Sequence, residues 1–199
     1  MTTNPKIFDS VISQVKATLF LCCMGLLVFY GTLHSPFHYD DAHAIVENPH
    51  IKDLSKFQEK VGIQNIFNRS TLLFSFAVNQ HLGEMKVFGY HLVNILIHIL
   101  CAILWFFLVR EFLHIEPFKN RSLLKTLPLV CSIIHLANPL NVQAVTYISS
   151  RSSLLATFFY LLAFYIFLKI LKPVKEEAYK LQIPILVSGL LLILFLGIA

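Results

Sequence analysis

Long apolar runs dominate this chain and leave it few folds to choose from. Residues 17–33 (ATLFLCCMGLLVFYGTL), 88–109 (FGYHLVNILIHILCAILWFFLV), 123–137 (LLKTLPLVCSIIHLA), 153–171 (SLLATFFYLLAFYIFLKIL) and 183–199 (IPILVSGLLLILFLGIA) each read as a membrane-crossing segment. A helix needs about 20 apolar residues to cross the hydrocarbon layer at about 1.5 Å rise per residue. The second and fourth runs meet that length comfortably. The other three are marginal, and Pro128 in the third predicts a kinked or shallow path. The expected fold is all-α and integral to the membrane, with about five transmembrane helices. A hydrophobic content of 56% and a mean hydropathy of +0.69 exclude an ordinary soluble domain. With 199 residues, the chain has room for a single membrane domain, 1–199.

The net charge of +5 invites a nucleic-acid reading until the basic residues are placed. Lys6 and Lys16 precede or open the first run. Arg110, Lys119, Arg121 and Lys125 lie between the second and third. Lys169, Lys172, Lys175 and Lys180 lie between the fourth and fifth. All three segments fall on one side of a five-span chain, so the charge is a topology signal and no nucleic-acid partner is implied. The positive-inside rule places the N-terminus and the connections 110–124 and 171–182 in the cytoplasm. Residues 34–87 and the short 138–150 loop then face the periplasm or the ER lumen, and the membrane is a bacterial inner membrane or the ER. The first run has no small-x-small cleavage site after it, so it reads as a retained signal anchor. Cys22, Cys23, Cys101 and Cys131 all lie in apolar runs, without C-x-x-C spacing, and read as small hydrophobes.

The outer loop has structure of its own. In KDLSKFQEKVGIQNIFN (52–68), Leu54, Phe57 and Val61 fall at helical spacing, which predicts an amphipathic helix on the membrane surface. RSTLLFSFAVNQHLG (69–83) is apolar enough to re-enter the membrane or lie flat in the interface. These helices either pad the membrane surface or shape a substrate site.

Where the chain leaves the first run, SPFHYDDAHAIVENPHI (35–51) places Asp40 and Asp41 among His38, His43 and His50, with Glu47 close by. A divalent metal at Asp40, Asp41, His38 and His43 is one reading, although no H-x-x-x-H pair and no cysteine supports it. A solvated polar loop is the plain alternative. His91, Asn94 and His98 share one face of the second run at i, i+3 and i+7. Such groups either hydrogen-bond between helices or line a wet cavity. Arg151 opens the fourth run on the same side as the acidic pair, and Arg69 is on that side too. Guanidinium groups and carboxylates in one outer cavity would suit a phosphate-bearing lipid: the arginines clamp the anion and a carboxylate activates a nucleophile.

HYDDAHAIVENPHI resembles the start of the first outer loop in multi-span glycosyltransferases of the GT-C class. The nearest likeness is to the transmembrane-and-tetratricopeptide-repeat O-mannosyltransferases and their bacterial relatives. GYHLVNILIHILCAIL (89–104) is similar to their second-span motif G-x-H-x-x-N-x-x-x-H. NPLNVQAVTYISSRSSLLATFFYLLAFYIF (138–167) resembles their H-P-x-x-x-E-A-V-x-Y-I-x-x-R-x-D-x-L-A block. The resemblance implies an N-terminal part of a GT-C-like fold. It also implies transfer of a sugar from a polyprenyl- or dolichyl-phosphate carrier to a protein hydroxyl on the outer side. Asp41 or Asp40 would supply the catalytic carboxylate. Arg69, Arg151 and His91 would bind the donor phosphate, with Asn94, His98 and Gln143 as supporting polar groups, and no metal or other cofactor.

The departures point the other way. Asn138-Pro139 stands for the family's His-Pro, Gln143 for its Glu, and Ser153 for the Asp of Arg-x-Asp. Family members also run on through more spans and repeats, so this sequence is expected to be either truncated or a short, degenerate relative. The second function class is therefore a catalytically inactive relative, an accessory or structural subunit of a larger membrane complex.

Orientation is tested by single-cysteine labelling in intact membranes. The reading requires Ser55→Cys to be reached from the outer side and Lys119→Cys only from the cytoplasmic side. The reverse pattern at either position refutes it.

Overall fold

The computed structural model describes residues 5–52, 70–113, 124–170, 187–190 and 193. Every regular element among them is helical. Helix α1 spans Pro5–Phe29 and tightens into a 3₁₀ turn, Tyr30–Thr32. A π-helical turn, Ala42–Val46, follows the acidic pair and leads to the short α2, Pro49–Lys52. Helix α3 is Ser70–Gly83 and α4 is Val87–Phe112. Helix α5, Leu127–Leu136, is followed by a 3₁₀ turn at Pro139–Asn141, the short α6 at Val142–Thr146, and a second 3₁₀ turn at Ile148–Ser150. The last runs directly into α7, Arg151–Ile170.

Among the described residues, three segments are long and apolar enough to cross a bilayer: Val11–Thr32, Val87–Phe112 and Ile148–Ile170. A fourth forms if the pair Leu127–Leu136 and Pro139–Thr146, bent by 46°, counts as one. The fifth apolar run lies mostly outside the described residues, as do the predicted surface helix at 52–68 and most of the two basic connections. The first span is longer than its apolar run, because helix formation continues outward past Lys16 to Pro5. The third corrects the expectation placed on Pro128. That proline sits in the first turn of α5, where its missing N–H interrupts no helical hydrogen bond. The bend instead falls at Ala137-Asn138, ahead of Pro139.

Helix α4 is the hub. It packs against α7, α5 and α1, and also meets α6 and α3. One apolar cluster runs along this bundle through Leu21, Phe29, Ile95, Ile99, Ala102, Leu136 and Leu154. A second lies beside the loop that follows α1, where Ile45, Ile51, Leu72, Phe76, Tyr90 and Ile148 meet. Helix α3 buries Leu72, Phe76 and Ala77 in that cluster. It leaves Phe74, Val78 and Leu82 exposed at i, i+4 and i+8, an apolar stripe fit for the lipid interface.

Helices α1 and α4 approach closely at Gly25. A Cβ there would meet Ile99 Cγ1, with Cδ1 of the same side chain at 2.8 Å and Leu136 Cδ1 at 3.4 Å. Small residues of this kind let helix backbones come together in lipid. Gly25→Val is therefore expected to destabilise the protein by about 1–3 kcal/mol through overpacking, read as a lowered thermal midpoint in detergent. Ile99→Ala added to that variant should recover part of the loss. An unchanged midpoint in Gly25→Val would refute the close contact.

Candidate functional site

The end of the bundle that carries the acidic pair is held by side chains that satisfy backbone groups at helix ends. Asp41 is the first. It is buried, with 1% of its surface exposed. Its Oδ2 accepts from the His38 amide at 3.0 Å and its Oδ1 from the Ser149 amide at 2.7 Å. Ser149 belongs to the turn that opens α7, whose first N–H groups have no partner within the helix. Asp41 therefore caps α7 from a loop more than a hundred residues earlier in the chain. A negative charge at that end also suits the helix dipole.

The same contacts fix the backbone around the pair. The Asp41 amide donates back to the His38 carbonyl at 2.9 Å. The Asp40 amide donates to the Tyr147 hydroxyl at 2.9 Å. Between them, Tyr39 sits in the left-handed region at φ 45° and is 91% exposed. A tyrosine there is strained, and it persists only where its surroundings determine the conformation. The Asp40 side chain, unlike that of Asp41, is exposed. The two carboxylates thus differ in kind: one is a buried tie, the other is open.

Arg151 is fully buried in the first turn of α7. Its Nε donates to Asn94 Oδ1 at 2.7 Å, and its guanidinium nitrogens donate to the Ser75 carbonyl and hydroxyl, both at 3.2 Å, and to the Tyr90 carbonyl at 3.0 Å. The Phe76 ring lies 4.5 Å from the guanidinium carbon and the Tyr90 ring 5.8 Å. Carbonyl dipoles and ring faces together surround the charge. With its oxygen committed to Arg151, the Asn94 amide turns its Nδ2 toward the carbonyls of Val145, Tyr147 and Ile148, at 3.3, 3.4 and 3.5 Å. Two hydrogens are shared among three acceptors in the turn between α6 and α7.

The two histidines of the α4 motif work similarly. His91 Nε2 bonds the Ser35 carbonyl at 2.9 Å, and His98 Nε2 bonds the Leu136 carbonyl at 3.2 Å. A carbonyl can only accept, so both rings carry their proton on Nε2. His98 and Asn141, whose Nδ2 donates to the His135 carbonyl at 2.8 Å, satisfy carbonyls that the end of α5 leaves open. The His98 ring also lies against Phe29 and His135. His91, Asn94 and His98 therefore form one buried polar seam along α4, linking it in turn to the first loop, to α7 and to α5.

Asp41, His91, Asn94 and Arg151 are thus gathered at one end of the bundle. Arg151 is enclosed by protein rather than lining an open cavity. Gln143 is exposed on α6, and Ser153, where the resembling block has an Asp, is exposed on α7. Arg69 lies outside the described residues. Among the described residues, no three or more His, Cys, Asp or Glu side chains converge as a metal site; His43 instead lies 4.0 Å from Glu47, both well exposed. Sequence reasoning passed over Ser75, Tyr90, Tyr147 and Ser149. All four contribute backbone groups to the network, which carry no residue-type signal, and the Ser75 hydroxyl and Tyr90 ring add side-chain contacts. The Tyr147 hydroxyl was legible only as a letter of the matched block.

No family model matches the chain, and no solved structure matches it. Curated relatives do. Protein O-mannosyl-transferase F38B6.6 of Caenorhabditis elegans is 29% identical over 166 residues, covering 78% of this chain and 23% of that protein. Human protein O-mannosyl-transferase TMTC1 is 28% identical over 165 residues, covering 77% of this chain and 18% of its own length. Human TMTC3, named for the same activity, is 27% identical over 150 residues, covering 68% and 15%. The chain spans less than a quarter of the length of these relatives. Over that shared stretch, this all-α membrane chain is similar to protein O-mannosyl-transferases, human TMTC1 and TMTC3 among them.

Proposed function

We propose that this chain forms the outer-face wall of a membrane glycosyltransferase. In this reading it transfers a sugar from a polyprenyl- or dolichyl-phosphate carrier to a protein hydroxyl, with its N-terminus in the cytoplasm. The observation that carries the reading is the division of labour in the acidic pair. Asp41 is buried and spent on two backbone amides. Its neighbour Asp40 is exposed on a backbone held by Tyr147. A hydroxyl is a weak nucleophile until a base takes its proton, and that base must be accessible and held in place. Asp40 meets both conditions. Asp41 is the positioning residue that sets the loop, through the cap on α7. The location suits the chemistry: the donor's phosphate lies at headgroup level, the acceptor arrives from water, and the pair sits where α1 leaves the apolar layer.

The same reading reassigns the polar groups. His91 and Arg151 act by holding the loop and the start of α7, and donor phosphate contact falls to another basic group, for which the sequence offers Arg69. Asn94, His98 and Gln143 divide in the same way: the first two tie helices together, and only Gln143 is open to a ligand.

A second reading, an inactive relative acting as an accessory subunit, rests on Asn138, Gln143 and Ser153. There the resembling block has a histidine and two acids, and Gln143 and Ser153 are exposed enough to have faced a substrate.

The two aspartates separate these readings. With a polyprenyl-phosphate mannose donor, Asp40→Asn is expected to lower transfer by about two to four orders of magnitude while leaving the thermal midpoint unchanged, as removal of a general base does. Asp41→Asn replaces one acceptor by an NH₂ group facing an amide. It should cost about 1–3 kcal/mol of stability and lower transfer through the loosened loop. Full turnover in Asp40→Asn would refute its role as the base. No turnover in the wild type, with stoichiometric co-purification of a larger membrane complex, would establish the subunit.

A further inference from the structure

Two aromatic residues flank His38, and the chain places them in opposite environments. Phe37 packs against the second apolar cluster and meets the Tyr90 ring edge-on at 5.5 Å. Tyr39 is left in the open: its backbone is left-handed at φ 45° and 91% of its surface is exposed. A set of hydrogen bonds holds this turn. The Asp41 carboxylate accepts from the His38 amide, and the Asp41 amide donates to the His38 carbonyl. The Ala42 amide donates to the Tyr39 carbonyl at 3.1 Å, and the Asp40 amide donates to the Tyr147 hydroxyl. None of these bonds uses the Tyr39 side chain. Glycine or asparagine would adopt the same backbone with less strain. A ring this exposed gives the fold little burial energy. Strain of this kind collects at binding and catalytic sites.

We propose that the Tyr39 ring is the platform on which the sugar of the lipid-phosphate donor stacks beside Asp40. The inference deepens the glycosyltransferase reading above and takes its ligand from it. In that reaction the acceptor oxygen bonds to the anomeric carbon, the bond from that carbon to the phosphate oxygen breaks, the polyprenyl phosphate leaves, and Asp40 takes the hydroxyl proton. The sugar must therefore lie against groups that flank the base. The Cα atoms of Tyr39 and Asp40 are about 3.8 Å apart across their peptide, so Tyr39 is such a group. A pyranose presents a face of weakly electropositive C–H bonds, and the face of an aromatic ring is negative. The bonded turn fixes the backbone that carries the ring, so little freedom is lost on stacking. An anchor in the membrane interface is the other common use of an open tyrosine. Tyr30, 69% exposed in the turn that ends α1, is placed for that use without a left-handed backbone.

The test is equilibrium binding of two probes to the full chain in nanodiscs: a short polyprenyl-phosphate mannose, and the same polyprenyl phosphate without the sugar. The wild type should bind the mannosyl lipid more tightly. A stacked aromatic contact is worth about two- to tenfold in affinity. Tyr39→Asn should lose that factor for the mannosyl lipid and bind the bare phosphate as the wild type does. Its thermal midpoint should be at or above the wild type's, because asparagine tolerates the left-handed backbone. Tyr39→Phe keeps the ring and should match the wild type with both probes. Equal affinity of the wild type for the two probes overturns the proposal, as does unchanged mannosyl-lipid binding in Tyr39→Asn. Equal loss for both probes overturns it in favour of a lipid contact, and a lowered midpoint overturns it in favour of a role in folding. Binding is read without turnover, so the two claims fail separately. A chain that shows the sugar-dependent loss but transfers nothing contradicts only the catalytic reading. Full transfer with a preference for the mannosyl lipid that survives Tyr39→Asn contradicts only the platform.

Discussion

A buried guanidinium without a carboxylate beside it is an unusual thing to build a membrane helix around, and the end of the bundle near the acidic pair depends on it. Taking Arg151 out of water is worth several kcal/mol of lost hydration unless its donors are met. They are met by Asn94, by the Ser75 hydroxyl, and by the Ser75 and Tyr90 carbonyls. Those partners lie on α3 and α4, so the start of α7 can take its place only where both are already in position. Asn94 extends the constraint by holding the turn before α7. Asp41 extends it to the first loop through the Ser149 amide. One side chain therefore couples three helices and, at one remove, the acidic pair.

This coupling explains why so many titratable groups crowd the point where the chain leaves the apolar layer. Helix ends expose backbone donors and acceptors that lipid cannot satisfy. Here the ends of α5 and α7 are satisfied by His98, Asn141 and Asp41, so much of the local polarity serves to close helices. What remains open among the described residues includes Asp40, with a strained Tyr39 beside it, Glu47 next to His43, and Gln143. A reacting carboxylate has to belong to that remainder. The opposite end is built differently. There Lys169 and Glu111 form an ion pair between α7 and α4.

The helices were legible in the sequence because lipid enforces a strong signal: long apolar runs have few other outcomes. The sharing of one face by His91, Asn94 and His98 followed from helical spacing, and the buried seam along α4 bears it out. What those residues touch was not legible. Their partners are mostly carbonyls, which any residue supplies, and the partner segments are brought together only by tertiary packing. Pro128 illustrates the limit of local rules. A proline predicts a break only when its position in the helix is known, and here it opens the helix instead of bending it. The acidic pair was visible as a pair, whereas the opposite environments of Asp40 and Asp41 depend on a turn more than a hundred residues away.

The central claim is that Arg151, through Asn94 and the turn before α7, holds the loop that carries the acidic pair. Amide hydrogen exchange of residues 38–46 tests it most directly, because that loop makes no bond to Arg151 itself. Loss of a buried charged partner weakens local closure by about 1–3 kcal/mol, and each 1.4 kcal/mol is about tenfold in the opening equilibrium. Arg151→Met should therefore speed exchange across 38–46 by about tenfold or more, with the centre of α4 around Ile99 as protected as in the wild type. Unchanged exchange in 38–46, with the variant folded, would contradict the account.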